Sequence, residues 1–325
     1  MRKWVMPEYI DDILPAEAER IEALRRTLLD HFRERGYRLV QPPLIEHLDS
    51  LLTGTGHDLE LQTFKVVDPL SGRLLGFRAD ITPQVARIDA HLLNEPGVTR
   101  LCYAGSVLRT ATTGLAQSRE VLQIGAELYG EAGIAADKEV LGLLLSSLQA
   151  VSLRGLHLDL GHVGVYRALA NGAHIAGDGA DSELFAALRS KDLPAVIELT
   201  AKLPAAWRDA FAALPSLYGP AEEVLASARA RLPDTPSIAG ALATLDTLAQ
   251  TARPQVHALH IDLADLRGYH YQTGASFCVF TPGETNAIGR GERYDGIGKA
   301  FGRARPATGF TLDLRQLAGL LARST

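Results

Sequence analysis

The chain has 325 residues and a formal net charge of −5, enough length for one large domain or two modest ones with a proper apolar core. The acidic balance gives no basic footprint for nucleic acid. The first residues lack the apolar stretch of a signal peptide, and no apolar run approaches the roughly eighteen residues of a membrane span. We therefore expect a soluble, cytoplasmic protein with no nucleic-acid or membrane partner.

The first elements along the chain are a helix and an extended segment. Apolar residues repeat at three- and four-residue spacing from Ile21 to Phe32, which predicts a helix over 16–35 between Pro15 and Gly36. The segment 39–46 is extended but interrupted by two prolines, which cannot donate hydrogen bonds into a strand ladder.

A β-hairpin is predicted over 62–80, because β-prone residues flank a turn at 68–72. A second helix is predicted over 83–94, and two strands follow at 100–108 and 119–129. A polar loop that contains a glycine joins these two strands.

Residues 165–252 differ in composition from the rest of the chain. They are rich in Ala and Leu with helical periodicity and several prolines, which predicts a compact helical insertion within a 1–325 core. Strand character resumes at 256–262 and 275–280. This order of elements predicts an α+β fold with a mainly antiparallel sheet.

No metal or cofactor site is expected. Cys102 and Cys278 each lie in an apolar run, which is typical of small buried side chains and not of a disulfide framework. His270 has no partner at the spacing of metal ligands.

Asp80 and Thr82 are the first candidates for a ligand site. A carboxylate and a hydroxyl two residues apart on an extended chain point to the same side, where they can accept from an ammonium group and orient it. The same residues fit a helix start, with Thr82 as the N-cap and Pro83 as the first helical residue. The residues alone are compatible with both interpretations.

A second candidate lies on the strand predicted at 119–129. Gln123, Gly125 and Glu127 alternate on one face, with apolar residues on the other. An amide and a carboxylate beside a glycine form a polar patch with room for a ligand. An ordinary half-exposed strand is the alternative interpretation.

Two segments near the end of the chain combine glycine with polar and aromatic residues. The segment 265–274 contains Arg267 and Tyr271, and 289–296 contains Tyr294. A surface strand is the ordinary interpretation of the first. The second could be a phosphate-binding loop, but it lacks the lysine–serine ending of a P-loop and the spacing of a dinucleotide-binding loop.

Five segments in order resemble the signature motifs of histidyl-tRNA synthetases, which are class II aminoacyl-tRNA synthetases. The segments lie at 9–15, 101–127, 265–274, 289–296 and 309–316. The resemblance implies the class II core, a six-stranded, mainly antiparallel sheet flanked by helices. It also implies that the first motif forms a dimer interface.

The resemblance further implies a histidine-shaped pocket and no catalytic residue. Arg109 would meet the carboxylate and α-phosphate side of the substrates, Arg267 would face the ligand carboxylate, and Tyr271 and Tyr294 would wall the imidazole. The residues implied to bind histidine are Asp80, Thr82, Arg109, Gln123, Glu127, Arg267, Tyr271 and Tyr294.

Departures from the synthetase pattern concentrate on the ATP side. Val121 replaces the aromatic residue that stacks on adenine, Ala111 an acidic residue, and Gln316 the arginine that holds ATP. In the third motif, Asp313 replaces a glycine and Arg315 an acidic residue. A lost stacking platform costs about 1–3 kcal/mol per base, and a lost arginine removes a charge-assisted contact. The anticodon-binding domain is also expected to be missing.

A chain that keeps the histidine-binding residues of the synthetases but lacks their ATP-binding residues resembles the histidyl-tRNA synthetase-like regulatory subunits of ATP phosphoribosyltransferase. In that family the subunit has no catalysis of its own and assembles with the short-form catalytic subunit into a hetero-octamer. It is required for activity and for feedback inhibition by histidine in the first step of histidine biosynthesis. The resemblance thus implies L-histidine as ligand and that catalytic subunit as partner, with the helical insertion and the loop 110–117 as candidate contacts.

Two other functions remain open at this point. A minimal histidine-adenylating synthetase paralogue would keep ATP chemistry, and a translation-related module would use the fold to hold tRNA. ATP–pyrophosphate exchange would reveal the first, while the lack of a basic face disfavours the second.

Overall fold

The computed structural model of the chain describes residues 5–54, 57–112, 118–175, 183–269 and 271–324. The chain divides into two compact units. The first unit comprises Met1–Ala132, Ser146–Arg154 and Asp295–Thr325, and the second comprises Gly133–Leu145 and Gly155–Tyr294.

The strands predicted at 100–108, 119–129, 256–262 and 275–280 are present, and the structure adds others, among them His157–His162 and a short strand at Tyr218–Pro220 within the residues predicted as a helical insertion. In chain order the strands are β1 (Arg38–Leu39), β2 (Ile45–His47), β3 (Lys65–Val67), β4 (Leu74–Phe77), β5 (Thr99–Leu108), β6 (Glu120–Tyr129), β7 (His157–His162), β8 (Tyr218–Pro220), β9 (Ala258–Asp262), β10 (Ala275–Phe280), β11 (Gly289–Arg293) and β12 (Ala307–Asp313).

The α-helices include a dense series in the second unit. In chain order they are α1 (Pro15–Glu34), α2 (Leu48–Leu51), α3 (His57–Gln62), α4 (Thr82–Arg87), α5 (Ile134–Ala150), α6 (Val163–Gly172), α7 (Glu183–Arg189), α8 (Leu193–Thr200), α9 (Ala205–Ala213), α10 (Ala221–Arg231), α11 (Pro236–Ala252) and α12 (Leu314–Ser324). Short 3₁₀ turns at Leu214–Ser216, Arg253–Gln255 and Ile297–Phe301 and a π-helix at Ile88–Leu93 complete them.

The first unit is built on a sheet in the order β1-β5-β6-β12. β1 pairs with β5 in parallel, whereas β5–β6 and β6–β12 are antiparallel. A separate three-stranded antiparallel sheet has the order β2-β4-β3, and it contains the hairpin predicted over 62–80.

Helix α1 covers part of this sheet with the apolar stripe that its sequence predicts. Leu28 and Phe32 are fully buried, and the Phe32 ring meets the edge of Phe310 from β12 at 5.8 Å between centroids. The helix begins with Pro15 at its first position and ends before Gly36, whose φ of +81° suits glycine. The helix predicted over 16–35 is therefore confirmed.

The helix predicted over 83–94 is confirmed in extent but changes form midway. The α-helical hydrogen bonding of α4 gives way to a π-helix over Ile88–Leu93. Within this wider turn, Asp89 is buried and accepts two hydrogen bonds from Arg305, at 2.8 and 3.1 Å. The buried ion pair ties the π-helix to the segment that leads into β12.

The second unit has the strand order β11-β10-β7-β9-β8, in which only β7–β9 is parallel. Its core includes a cluster of aromatic rings around Tyr166, which lies 5.4–6.3 Å from Phe185, Phe211 and Tyr269 between centroids. Offset and edge contacts of this kind add to the free energy of burial.

The α+β prediction with mainly antiparallel strands is confirmed, and both cysteines are buried as expected. The strand count differs from the six that the resemblance implies, because the larger of the two described sheets contains nine strands, four of them in the first unit and five in the second. Helices α6–α11 occupy the part of the chain predicted as a helical insertion. The insertion as a domain stays a prediction.

Candidate functional site

The polar face of β6 forms the floor of the candidate site in the first unit. Glu127 lies opposite Gly309 of β12, and Gly125 lies opposite Tyr103 of β5. A Cβ on Gly309 would come within 1.5 Å of Glu127 Oε2, and one on Gly125 within 2.5 Å of the Tyr103 hydroxyl. Both glycines are therefore required so that the Glu127 and Tyr103 side chains can lie across the sheet.

Glu127 is the centre of this floor. Its side chain is 1% exposed, and its Oε1 accepts hydrogen bonds from the Thr82 hydroxyl at 2.9 Å and the Tyr103 hydroxyl at 3.1 Å. Burial, together with the charges of Glu127 and Asp80, raises the pKa of Tyr103 well above its ordinary value. The phenol therefore stays a donor, and Glu127 receives two neutral hydroxyl groups.

A loop from Arg78 to Thr82 is fastened to β6 through Gln123. The Gln123 carbonyl accepts from the backbone N–H of Ile81 at 2.9 Å, and its amide donates to Asp80 Oδ2 at 3.1 Å. Asp80 Oδ1 also accepts from the backbone N–H of Thr82 at 2.8 Å. The structure thus brings Asp80, Thr82, Gln123 and Glu127 into one hydrogen-bonded cluster.

The interpretation of Thr82 as a helix N-cap is wrong. Thr82 is the first residue of α4, and the capping position before it is Ile81, with no side-chain cap. The Thr82 hydroxyl donates to Glu127 instead, in a charge-assisted hydrogen bond that is stronger than a bond between neutral groups.

Arg109 lies beside this cluster, where its Nε donates to the carbonyl of Ala79 at 3.2 Å. The neighbouring Arg119 donates to the carbonyl of Arg109 at 3.2 Å and stacks on the ring of Phe64 at 4.7 Å. Arg109 directly follows the last residue of β5, and Arg119 directly precedes the first residue of β6.

Residues that depart from the synthetase pattern have structural roles here. Asp313 Oδ1 accepts from the backbone N–H of Arg315 at 2.9 Å, as expected at the start of α12. Burial raises the pKa of Asp313, although these backbone bonds and the nearby arginines oppose the rise. Arg315 in turn lies 3.5 Å from Glu17 of α1 and donates to Ser118 at 3.2 Å.

Arg267, Tyr271 and Tyr294 belong to the second unit. Tyr294 is 1% exposed and Tyr271 is partly buried. Arg267 is half exposed and binds Asp265, its neighbour two positions earlier, with donor–acceptor distances of 2.7 and 2.6 Å. His270 lies outside the described residues.

Two residues with direct roles in the first unit were missed by sequence reasoning. Tyr103 was not assigned, although two-residue alternation along β5 would have aligned it with Gly105. Arg78 is buried and donates to the carbonyls of Ser106 and Pro42, at 2.8 and 2.7 Å. A Cβ on Gly105 would lie 2.4 Å from the Arg78 guanidinium, so the glycine makes room for it.

Two wider surveys complete the description. Within the described ranges, no three or more His, Cys, Asp or Glu side chains are grouped so that they could hold a metal ion. Of the helices in those ranges, none combines the length and the apolarity that crossing a lipid bilayer requires.

Comparison with known proteins defines the class. The family model for histidyl-tRNA synthetase matches residues 9–317. A Bacillus halodurans structure described as an ATP phosphoribosyltransferase regulatory subunit/histidyl-tRNA synthetase has a TM-score of 0.87 at 24% identity, covering 99% of this chain and 84% of that one. A histidine–tRNA ligase subunit of Alicyclobacillus acidocaldarius has a TM-score of 0.76 at 24% identity, covering 100% and 99%. The fold is that of class II aminoacyl-tRNA synthetases, in the histidyl form.

Closer relatives identify the family within this class. A Ralstonia nicotianae protein described as an ATP phosphoribosyltransferase regulatory subunit is 61% identical over 320 residues, which cover 98% of this chain and 82% of the relative. A Thiobacillus denitrificans protein of the same description is 59% identical over 317 residues and covers 98% of both. The chain therefore belongs to the family of ATP phosphoribosyltransferase regulatory subunits.

Proposed function

We propose that this chain is a non-catalytic subunit that the short-form ATP phosphoribosyltransferase catalytic subunit requires for activity and for feedback inhibition by histidine. The observation that supports the proposal is the Glu127-centred cluster, a buried polar site in a chain that lacks the residues with which the synthetase pattern holds ATP. Family membership supports the same assignment.

The cluster in the first unit suits the ammonium group of L-histidine. Glu127 and Asp80 supply carboxylates beside the Thr82 hydroxyl, and opposite charges in a partly buried site attract more strongly than in water. Gln123 is proposed to face the imidazole and Arg109 the ligand carboxylate. On the second unit, Arg267 is also proposed to face the ligand carboxylate, and Tyr271 and Tyr294 are proposed to contact the imidazole.

Loss of the ATP side makes histidine binding reversible in this proposal. Val121 offers no aromatic platform for adenine, and Gln316 cannot pair with a phosphate as an arginine does. A site that holds histidine without adenylating it is suited to sensing. Bound histidine then alters the assembly only through different affinities for its active and inhibited states.

A minimal histidine-adenylating paralogue is the competing function. ATP–pyrophosphate exchange driven by histidine separates the two, because only an adenylating protein catalyses it. We expect no exchange above the protein-free background, and robust exchange would remove the regulatory proposal.

We also propose that the chain pairs with a second copy, inside a hetero-octamer with the catalytic subunit. One face of the three-stranded sheet packs on α2, since a Cβ on Gly76 would lie 2.8 Å from Leu51. On the opposite face, Ile45 and Val66 are 38% and 42% exposed. Apolar residues aligned on an open sheet face favour an interface, and sedimentation of Val66→Glu against the unchanged protein tests it.

The decisive experiment is co-purification with the short-form catalytic subunit, followed by assays of phosphoribosyl transfer with and without histidine. We expect stable co-purification, activity only in the mixture, and inhibition by histidine. Glu127→Gln should retain activation but lose inhibition, because it removes a charge that holds the ligand. A mixture that is inactive, or whose Glu127→Gln form stays fully inhibited, contradicts the proposal.

A further inference from the structure

Arg267 already binds a carboxylate in the ligand-free chain. Its Nε and terminal NH2 donate to the two oxygens of Asp265 at 2.7 and 2.6 Å, and its backbone N–H donates to Asp265 Oδ1 at 3.2 Å. This Nε–NH2 edge of a guanidinium is the one that takes a carboxylate through two parallel hydrogen bonds. The position proposed for a ligand carboxylate is thus filled from within the chain.

The surroundings keep Asp265 ionised, and its negative charge balances the positive charge of Arg267. Burial would raise the pKa of Asp265, but the hydrogen bonds and charge of Arg267 outweigh it, so this pKa lies below its ordinary value. Asp159 also feels the charges of Asp262 and Asp265. An approaching anion meets several carboxylates here, and the guanidinium is already paired.

We propose that Asp265 is an internal competitor for the carboxylate of the amino-acid ligand at Arg267. This inference rests on the proposed function, because it assumes that Arg267 binds the carboxylate of histidine. Ligand binding then requires that the Arg267 side chain exchange one carboxylate for another. The fraction of chains with Arg267 released scales the apparent affinity, so Asp265 sets the histidine concentration at which the site fills.

The solvent exposure of the Arg267–Asp265 pair indicates that Arg267 can exchange Asp265 for a ligand carboxylate and that the pair is not a fixed structural contact. The Arg267 side chain is 55% exposed and that of Asp265 is 20% exposed, so water can reach the guanidinium. Ion pairs of this exposure contribute little net free energy, and a ligand carboxylate can displace them. By contrast, the Arg293–Asp137 pair of the same unit is 8% and 6% exposed and is built to persist.

The test is calorimetry of the full chain with L-histidine and with L-histidinol, which has a hydroxymethyl group in place of the carboxylate. Asp265→Asn keeps an oxygen for the Arg267 backbone N–H but removes the competing charge. We expect it to bind L-histidine roughly two- to fivefold more tightly than the unchanged protein. Its affinity for L-histidinol should stay the same.

Asp246→Asn is the matched control, because Asp246 forms an equivalent pair with Arg229 at 2.7 Å in the same unit. It changes the net charge equally and should leave both affinities unchanged. Asp265→Ser, which keeps a small acceptor for the turn, replaces Asp265→Asn if thermal melting shows that the latter is unfolded.

Three outcomes overturn the proposal that Asp265 competes with the ligand. Histidine binding that is unchanged or weaker in both Asp265 variants means that Asp265 holds Arg267 in place for the ligand. An equal gain for L-histidinol means that the effect does not involve the carboxylate. If the unchanged protein binds neither compound, the proposed histidine site itself is wrong and the competitor with it.

Discussion

Glu127 and Gly309 face each other on neighbouring strands, and the carboxylate of one occupies the space where the other would carry a side chain. The chain segment at Gly309 was singled out for its resemblance to a nucleotide-binding motif. Its glycine instead serves the proposed amino-acid site, because it lets a buried carboxylate lie flat on the sheet.

We predict that Gly309→Ala displaces the Glu127 side chain and lowers the stability of the folded protein. Overpacking of a tight site costs about 1–3 kcal/mol, so thermal unfolding should shift to lower temperature and histidine binding should weaken together. Gly319→Ala is the control, since a Cβ there meets nothing within 4 Å and alanine favours the helix α12. Equal melting of both variants would contradict the role of Gly309.

We predict that Glu127→Gln lowers the affinity for L-histidine with little loss of stability. Hydrogen bonds to charged groups contribute about 1.5–3 kcal/mol, so the Kd should rise roughly ten- to a hundredfold. Calorimetry measures it, with Glu120→Gln at the start of the same strand as the control. A Kd within twofold of the unchanged value would remove Glu127 from the site.

His162 is expected to make the free energy of unfolding depend on pH in the acidic range. Its Nδ1 accepts from the backbone N–H of Gly164 at 3.0 Å and caps α6. Burial, aided by the charges of Arg167 and Arg293, lowers the pKa of His162 from 6.5 to about 4. Between these pH values the unfolded chain binds a proton that the folded chain does not, so the free energy of unfolding falls as pH falls.

The expected loss from pH 6.5 to about 4 is up to about 3 kcal/mol. Urea unfolding at a series of pH values measures it. His162→Asn keeps a capping oxygen without the titration, and it should flatten this part of the profile. His91→Asn, at an exposed position, should leave the slope intact, and a slope that survives in His162→Asn assigns it elsewhere.

The buried pair of Arg305 and Asp89 should be costly to break from one side. Burial raises the pKa of Asp89 against the opposing effect of Arg305, and Arg305→Met would leave this carboxyl without its partner. We expect a loss of about 3–5 kcal/mol in chemical unfolding. Arg229→Met, at an exposed ion pair, should cost at most about 1 kcal/mol. Comparable losses in the two variants would contradict the greater importance of the buried pair.

Local periodicity was sufficient to predict much of the fold and part of the site. The two-residue alternation of Gln123, Gly125 and Glu127 survives unchanged because strand geometry dictates it. Thr82 shows the limit of such reasoning. Its local preference for a helix cap yields to Glu127, which lies 45 positions away in the chain.

Other features depend on pairing that the chain order does not reveal. Tyr103 reaches the site because β5 aligns it with Gly125, and that register is set by the assembled sheet. Arg78 was visible beside Asp80, but its carbonyl partners at Pro42 and Ser106 come from separate segments. The Asp265–Arg267 pair was within reach of sequence reasoning, since only one residue separates the two.

The fastening of the Arg78–Thr82 loop has a mechanical consequence. Arg78 anchors one end of it to Pro42 and Ser106, Gln123 holds its middle, and Thr82 closes its other end on Glu127. In the proposed function, histidine binds to a loop that is already held in place, so little free energy is lost to reorganising it. For the proposed regulation, the same hydrogen bonds mean that a shift of this loop on ligand binding would also shift the chain around Pro42.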